Sequence, residues 1–421
     1  MSDCARGGVV VIGAGIVGVS TALQLRQRGW ETILLDQRDP GTACSYGNAG
    51  ILANDIVAPV AAPGVLGKIP GYLLDPEAPL AIRLGYLPRL LPWLYHFLRC
   101  SRREIYERNT RAMASLLLSA RSAYEPLLAD AGADDLLRST GALQVFETEA
   151  SFADARRDAD FRRTLGSSVQ DVAAYEIPQF AKGLAPVFAG GLFRPDLGYF
   201  RDPLALTTAL HSRYLEIGGS SQRVAVERLE RRIGERWGVI GRSADGAEAA
   251  FEADQVVVAA GAWSTRLLRG LGLPIPLDTE RGYHVMLPYA RPEIPLPVST
   301  GEGAFYLTPM DGGLRLAGTV EMAGLSRPPD PRRPEAILRR ARRYLQDLDE
   351  RDAETWMGFR PSLPDSLPVI GPVAGLPGLV LAFGHAHLGI TLGAITGKLV
   401  AQAVSGERPE IDLTPFRHDR F

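Results

Sequence analysis

The chain has 421 residues, 46% of them hydrophobic, and its 46 Lys and Arg against 48 Asp and Glu leave a formal net charge of -2. That length exceeds one simple core and implies two domains, while the near-neutral balance excludes a general pull toward nucleic acid or an anionic membrane. Cys4, Cys44 and Cys100 are too few and too far apart for a disulfide framework or a CxxC metal site, which fits a reducing, cytoplasmic compartment. No apolar run is long enough to span a membrane, and the glycine-rich start makes a poor secretory signal.

The first stretch, Val9 to Asp36, reads as strand, glycine turn, helix and strand. Val9 to Ile12 is an uninterrupted β-branched run, as a parallel strand buried on both faces requires. Gly13-Ala14-Gly15-Ile16-Val17-Gly18 follows. Gly13 allows the tight turn, Gly15 lets a pyrophosphate approach the backbone, and Gly18 lets the helix sit close on the sheet. The free N–H groups and dipole of the helix that starts at Ile16 favour an anion there. Asp36, at the end of the second strand, is placed to accept hydrogen bonds from both ribose hydroxyls of an adenosine, with Gln37 and Arg38 beside it. The motif predicts a bound dinucleotide and leaves FAD or NAD open.

Arg38 to Asn54 is a small-residue loop in which backbone can approach a flat ligand. Within it, Ser45-Tyr46-Gly47-Asn48-Ala49-Gly50 is similar to the S-x-x-N-A-G segment of the D-amino acid oxidase superfamily of flavoproteins, and within that superfamily of the bacterial D-amino acid dehydrogenases. The resemblance implies that Ser45, Asn48, Ala49 and Gly50 lie along the flavin.

Ala78 to Arg103 mixes leucines and aromatics with Pro79, Pro88 and Pro92 and with five arginines, so short broken helices are expected. It reads either as a cap over the flavin domain or as a contact with a membrane surface or quinone pool. Glu104 to Ala131 is helical, as one helix or a pair. Thr140 to Phe146 alternates like a strand, and Ala150 to Leu165 is a charged helix. Gly191 to Pro203 resembles a family element that returns the chain to the nucleotide domain, which makes Tyr199 and Arg201 weak pocket candidates. Thr207 to Gly219 reads as a helix and leads to a strand through Val224 and Val226. By resemblance that strand passes the adenine at Val224, and the turn after Val256 to Val258 lies by the pyrophosphate at Ala260, Gly261 and Trp263. Arg332 to Asp352 reads as one charged helix whose apolar face carries Ile337, Ala341, Tyr344 and Leu348.

Gly358 to Gly371 resembles the family's G-x-R-P-x-x-P-D segment, and Leu379 to Gly397 its final strand, glycine turn and helix. The resemblance thus covers nearly the whole chain and decides for FAD over NAD. It brings Gly384, His385, His387, Leu388, Gly389 and Thr391 to the flavin, where backbone N–H groups stabilise the anionic reduced ring. His385 and His387 have no carboxylate or cysteine at ligand spacing, so no metal is expected. They read as packing and hydrogen-bonding groups, with a catalytic-base role as the alternative. No cysteine lies in the carboxyl half, where sarcosine oxidases attach FAD, so the flavin is expected to be noncovalent.

The expected architecture is α/β: an interrupted Rossmann-type FAD domain (1–77, 191–280, 356–421) and an α+β substrate domain with capping helices (78–190, 281–355). The expected activity is that of a flavin-dependent dehydrogenase in amino acid catabolism. It would oxidise the Cα–N bond of a small D-amino acid or cyclic imino acid, such as D-proline or 4-hydroxy-D-proline, by hydride transfer to flavin N5. Arg360 in the GFRP segment is expected to hold the substrate carboxylate through its planar fork of donors, with Tyr283 and Tyr306 as further catalytic candidates. A structural arginine paired with a carboxylate is the alternative for Arg360. A quinone or electron-transfer chain is the expected acceptor, with peripheral membrane contact left open. The rival readings are a sarcosine- or glycine-type oxidase using oxygen, an NAD enzyme, and a non-catalytic flavoprotein subunit.

Overall fold

The computed structural model describes residues 6–55, 59–64, 80–164 and 166–421. The chain forms two large sheets, each with its own hydrophobic core. In the eight-stranded sheet the centre is parallel, in the order Ser220–Arg231, Trp30–Asp36, Arg6–Ile12, Gln255–Val258, Leu379–Phe383. Antiparallel strands finish both edges. Val11 sits between Leu34 and Val257 in this register, and all three are fully buried, which is why the strand is apolar at every position.

The helix Ile16–Gln27 covers one face, against Gly389–Val404. The two helices approach closely because a Cβ at Gly397 would stand 2.7 Å from the Ser20 backbone, and one at Gly393 would stand 2.8 Å from Ile16. Gln24 donates across the contact to the Ala394 carbonyl at 2.8 Å. Both helices therefore start at the same end of the sheet.

The nine-stranded sheet runs Glu354–Ser362, Asp278–Leu287, Gly313–Met322, Phe305–Met310, Val298–Thr300, Ala142–Phe146, Gly190–Arg194, Gln170–Ala173, with Leu80–Ile82 paired to Gly313–Met322. Its strands correct the expected boundaries. Gly190–Arg194 is still a strand of this sheet, so the chain leaves it after Arg194 and not at 191. Asp278–Leu287 joins before 281, and Glu354–Ser362 holds on past 356. The boundary at 77, with Ala78 and Pro79, lies outside the described residues, as do Cys4 and Leu165.

Three local expectations also change. Leu87–Cys100 is one helix with Pro92 inside it, not a set of fragments. Pro92 lacks only the N–H that would meet the Pro88 carbonyl, and Pro88 is on the exposed face, where water can take that role. The charged helix stops at Tyr344, because Leu345 turns extended and bridges to Leu184, leaving Leu348 outside it. The helix read as Thr207 to Gly219 is Pro203–Glu216, started by the Asp202 carboxylate, which accepts from the Leu204 and Ala205 N–H groups. The stretch from Glu104 to Ala131 is a pair of helices, Arg103–Leu118 and Ala120–Asp130.

Candidate active site

Two cavities meet between the sheets, one of about 460 Å³ and one of about 1020 Å³, and Cys44, Asn48 and Ala386 line both. The first cavity opens at the end of Arg6–Ile12. Gly13 has φ +107° and a Cβ there would stand 2.4 Å from the Ala259 carbonyl oxygen, so the turn requires glycine. Gly18 packs on Gly13, where a Cβ would fall 1.8 Å from its carbonyl oxygen. Gly15 differs, because a Cβ there would meet only the Ser45 hydroxyl, at 3.4 Å, and would point into the cavity. The helix beginning at Ile16 has no side-chain cap from Gly15 and no acid in its first turn, and Ser45 Oγ accepts the Ile16 N–H at 3.0 Å. Its positive end, with Ile16 and Val17, thus faces the cavity.

Asp36 lines the same cavity with Gln37 and Arg38. Its carboxylate accepts Ala14 N–H at 2.7 Å and Arg38 N–H at 2.9 Å, one on each oxygen, which fixes its plane and leaves lone pairs on both oxygens for hydroxyl donors. Val224, beside Asp36 on the neighbouring strand, and Ala260, Gly261 and Trp263 line the same cavity. At the junction the second helix begins: Gly389 lines the first cavity, Leu388 and Thr391 the second, and its first turn also carries no acid.

The second cavity lies along one face of the nine-stranded sheet, under the helix Leu87–Cys100, whose Leu90, Trp93, Leu94 and Phe97 close it. Ala49, His387, Tyr306 and Arg360 are on its wall. Arg360 gives one hydrogen bond to protein, from Nη1 to the Thr319 carbonyl at 3.1 Å, and has no ion pair among the described residues. Its remaining donors are free to meet an anion. Among the described residues, four arginines (162, 194, 340 and 360) and two glutamates (280 and 302) line this cavity, a positive balance.

Burial fixes the protonation of the inner groups. His385 is held neutral, its pKa lowered to about 3 by burial, and it meets Thr396 Oγ1 at 2.9 Å. His387 is exposed to the cavity, and the desolvation of its crowded surroundings, then the charge of Arg360, lowers its pKa to about 4. Burial pushes the Cys44 thiol up to about 11 against the opposing charge of Arg360. Neither imidazole is a cation at neutral pH, and the thiol is not a nucleophile.

Some expected residues lie elsewhere. Tyr283 is not on either cavity wall: it is buried in the core of the second sheet, where its hydroxyl donates to Glu321 Oε2 at 2.6 Å and accepts Asp330 N–H at 3.0 Å. Strand alternation turns it away from Gly282, which does line the cavity. Arg201 is tied up with Asp135 and Asp311, and Tyr199 is buried in the small sheet formed with Ile51–Leu52 and Leu137–Arg138. Gly50 and Gly384 shape turns at φ +76° and +89° and line neither cavity. Asp365 is bound to Arg420 at 2.6 Å.

Other residues on the walls, and one behind them, Arg315, escaped the sequence reading. Arg315 is 3% exposed and donates to the Tyr46 and Asn48 carbonyls at 2.7 and 2.8 Å, holding the small-residue loop in place. Trp356 stacks on His284 beside Gly47, where a Cβ would strike the indole. Glu280 stands opposite Arg360 in the strand register. Arg194 was within reach, since a cation at the end of an apolar strand is visible in GGLFR.

The two helix N-termini at the cavities, the open side of Gly15, the fixed Asp36 carboxylate and the continuation past Asn48 together fit a dinucleotide carrying a planar ring. Residues 8–403 match the family described as FAD dependent oxidoreductase. The chain is 38% identical to a D-amino-acid oxidase of Bradyrhizobium diazoefficiens over 98% of both chains, and 34% identical to D-amino acid dehydrogenase 2 of Ralstonia nicotianae over 97% of this chain and 99% of that one. The glycine oxidase of Geobacillus kaustophilus superposes with a TM-score of 0.75 at 24% identity over 99% of each chain, a likeness of fold. FAD is therefore the cofactor, and the chain belongs to the FAD dependent oxidoreductase family.

Proposed function

We propose that this oxidoreductase oxidises the Cα–N bond of a D-amino acid or cyclic imino acid, with D-proline and 4-hydroxy-D-proline in range, to the imine. The observation that carries the reading is Arg360: a guanidinium on the cavity wall with, among the described residues, one protein hydrogen bond and no ion pair. A planar fork of donors in that state matches both oxygens of a carboxylate and fixes the attached Cα. When bound, FAD would supply the acceptor for the hydride that leaves Cα. The excess of arginine over glutamate on the wall disfavours an ammonium, so the substrate amine is held in the neutral form whose lone pair assists. The D configuration is supported by the names of the two relatives described above.

The test is anaerobic bleaching of the bound flavin by a panel of D-, L- and N-methyl amino acids and prolines. Bleaching by D-amino acids or D-prolines alone supports the reading. Bleaching by glycine and sarcosine alone would replace it with the glycine-oxidase type, and bound FAD that no amine bleaches would leave a non-catalytic subunit.

The acceptor is either oxygen, as the name of the 38% identical relative suggests, or a dye or quinone; oxygen uptake against dye reduction separates them. For a quinone, the helix that roofs the cavity offers the route. Its outer face exposes Leu91, Tyr95 and Leu98 beside Arg89 and Arg99, and Leu84 just before it is 81% exposed. An apolar strip edged with arginine suits the surface of an anionic bilayer. Sedimentation with anionic vesicles, lost in Leu91→Glu, is the expected result; flotation free of vesicles would remove the membrane contact. No described helix is long and apolar enough to cross a membrane.

A further inference from the structure

The larger cavity is far roomier than a small amino acid held at Arg360 requires, and its other end carries a second set of cations. Arg194 ends the strand Gly190–Arg194, and Arg162 lies on the helix Glu149–Thr164; both line the cavity, and each side chain is 15% exposed. The Nε of each is buried with no hydrogen-bond partner. Among the described residues Arg194 reaches the Gln144 side-chain oxygen at 3.3 Å and the buried Asp55 carboxylate at 3.8 Å. Arg162 pairs with Asp158, and Arg340, also on the wall, donates to the Gly303 carbonyl at 3.0 Å. Burial, and after it the charge of Arg162, makes the Arg194 cation costly, and its pKa is lowered. A desolvated guanidinium with unmet donors beside a second cation is stabilised by an anion arriving from the cavity.

We infer that Arg194, backed by Arg162, is an anion subsite that receives a second negative group of the substrate, so that the preferred substrates are amino acids whose side chain ends in a carboxylate. The inference rests on the proposed function, with the α-carboxylate at Arg360. Arg360 and Arg194 stand on the first and seventh strands of the sheet order, six interstrand steps apart. On a flat sheet that is about 29 Å, shortened by twist and by the inward reach of two long side chains. Aspartate, with a single methylene between Cα and its second carboxylate, therefore falls short, and the second carboxylate must sit on a longer arm.

The test is a homologous series of D-2-amino dicarboxylic acids, from D-aspartate to D-2-aminosuberate, each compared with its methyl-terminated neutral partner. The readouts are kcat/KM and the dissociation constant from the perturbed flavin spectrum. In the wild type the acidic-to-neutral ratio should rise with length and exceed one by about 10-fold at its best, the worth of one charge-assisted hydrogen bond. In Arg194→Met that ratio should fall by roughly the same factor, and Arg194→Lys should recover part of it. A wild-type ratio at or below one at every length overturns the subsite, and this does not depend on any variant folding. An unchanged ratio in Arg194→Met, with FAD bound, overturns it equally and leaves Arg194 and Asp55 as a structural pair. If neutral D-amino acids bleach the flavin while these ratios fail, the subsite alone is lost; if no amino acid bleaches it, the proposed function fails first.

Discussion

The Arg360 guanidinium donates to the Thr319 carbonyl at 3.1 Å, and Thr319 presents that carbonyl from a backbone with φ +58°. A β-branched residue in the left-handed region stores on the order of 1 kcal/mol or more of strain. Thr319 also lines the cavity and keeps its Oγ1 buried without a partner. The strained residue thus supplies the carbonyl that takes the one hydrogen bond Arg360 gives to protein among the described residues.

Thr319→Gly relieves the strain but loosens the carbonyl. Its stability should stay within about 1 kcal/mol of the parent, because the gain in the left-handed region is set against the entropy of glycine. KM for the best amino acid should rise several-fold with FAD still bound. An unchanged KM would show that Arg360 needs no help from Thr319.

Gly15→Val should fold and purify colourless. The protein leaves room for a Cβ at that position, with Ser45 Oγ at 3.4 Å, but the added atoms occupy the FAD cavity. Asp36→Ala should also be depleted in FAD, through loss of the carboxylate that the Ala14 and Arg38 N–H groups orient. The flavin-to-protein absorbance ratio, read beside the melting temperature, separates lost binding from lost folding. A yellow Gly15→Val protein refutes the phosphate cradle.

FAD should leave the protein on acid precipitation. Cys44 is on the wall of both cavities, yet burial holds its thiol at about 11, so it is protonated and unreactive toward the ring. Flavin retained in the washed precipitate would overturn this.

Stability should fall in acid. His284 and His385 are buried, and both have pKa values lowered to about 3 from 6.5, His284 by burial and then by Arg315, His385 by burial alone. Between those values the unfolded chain binds protons that the folded chain refuses, so stability rises with pH across this window and levels off above about 6.5. Asp330, lowered to about 2 by its hydrogen bonds to Arg332 and Arg83 against the opposing effect of burial, adds a further loss below 3.8. Urea midpoints from pH 8 to 4 should be level at first and then fall; a level curve down to pH 4 would contradict the buried neutral histidines.

The nucleotide half was legible because its chemistry is local. Gly13, Gly15, Gly18 and Asp36 lie within one strand-turn-helix-strand unit, whose glycine turn and cavity-lining carboxylate the spacing predicts. The substrate half was less so. Tyr283 and Gly282 are neighbours in sequence and face opposite sides of one strand, and only pairing with Gly313–Met322 and Glu354–Ser362 decides which side is the cavity. Arg315 and Arg194 act through residues far away in the chain, which no local pattern reveals. The helix at Arg332 ended early for the same reason, at a bridge to Leu184.

The central claim, that Arg360 holds the substrate carboxylate, is tested most directly by the rate of anaerobic flavin reduction in Arg360→Ala and Arg360→Lys, at saturating and limiting amino acid. With FAD bound, the alanine variant should lose roughly 100-fold in efficiency, about 3 kcal/mol of transition-state binding, and lysine should recover only part of it. Near wild-type efficiency in Arg360→Ala would move the carboxylate site elsewhere in the cavity.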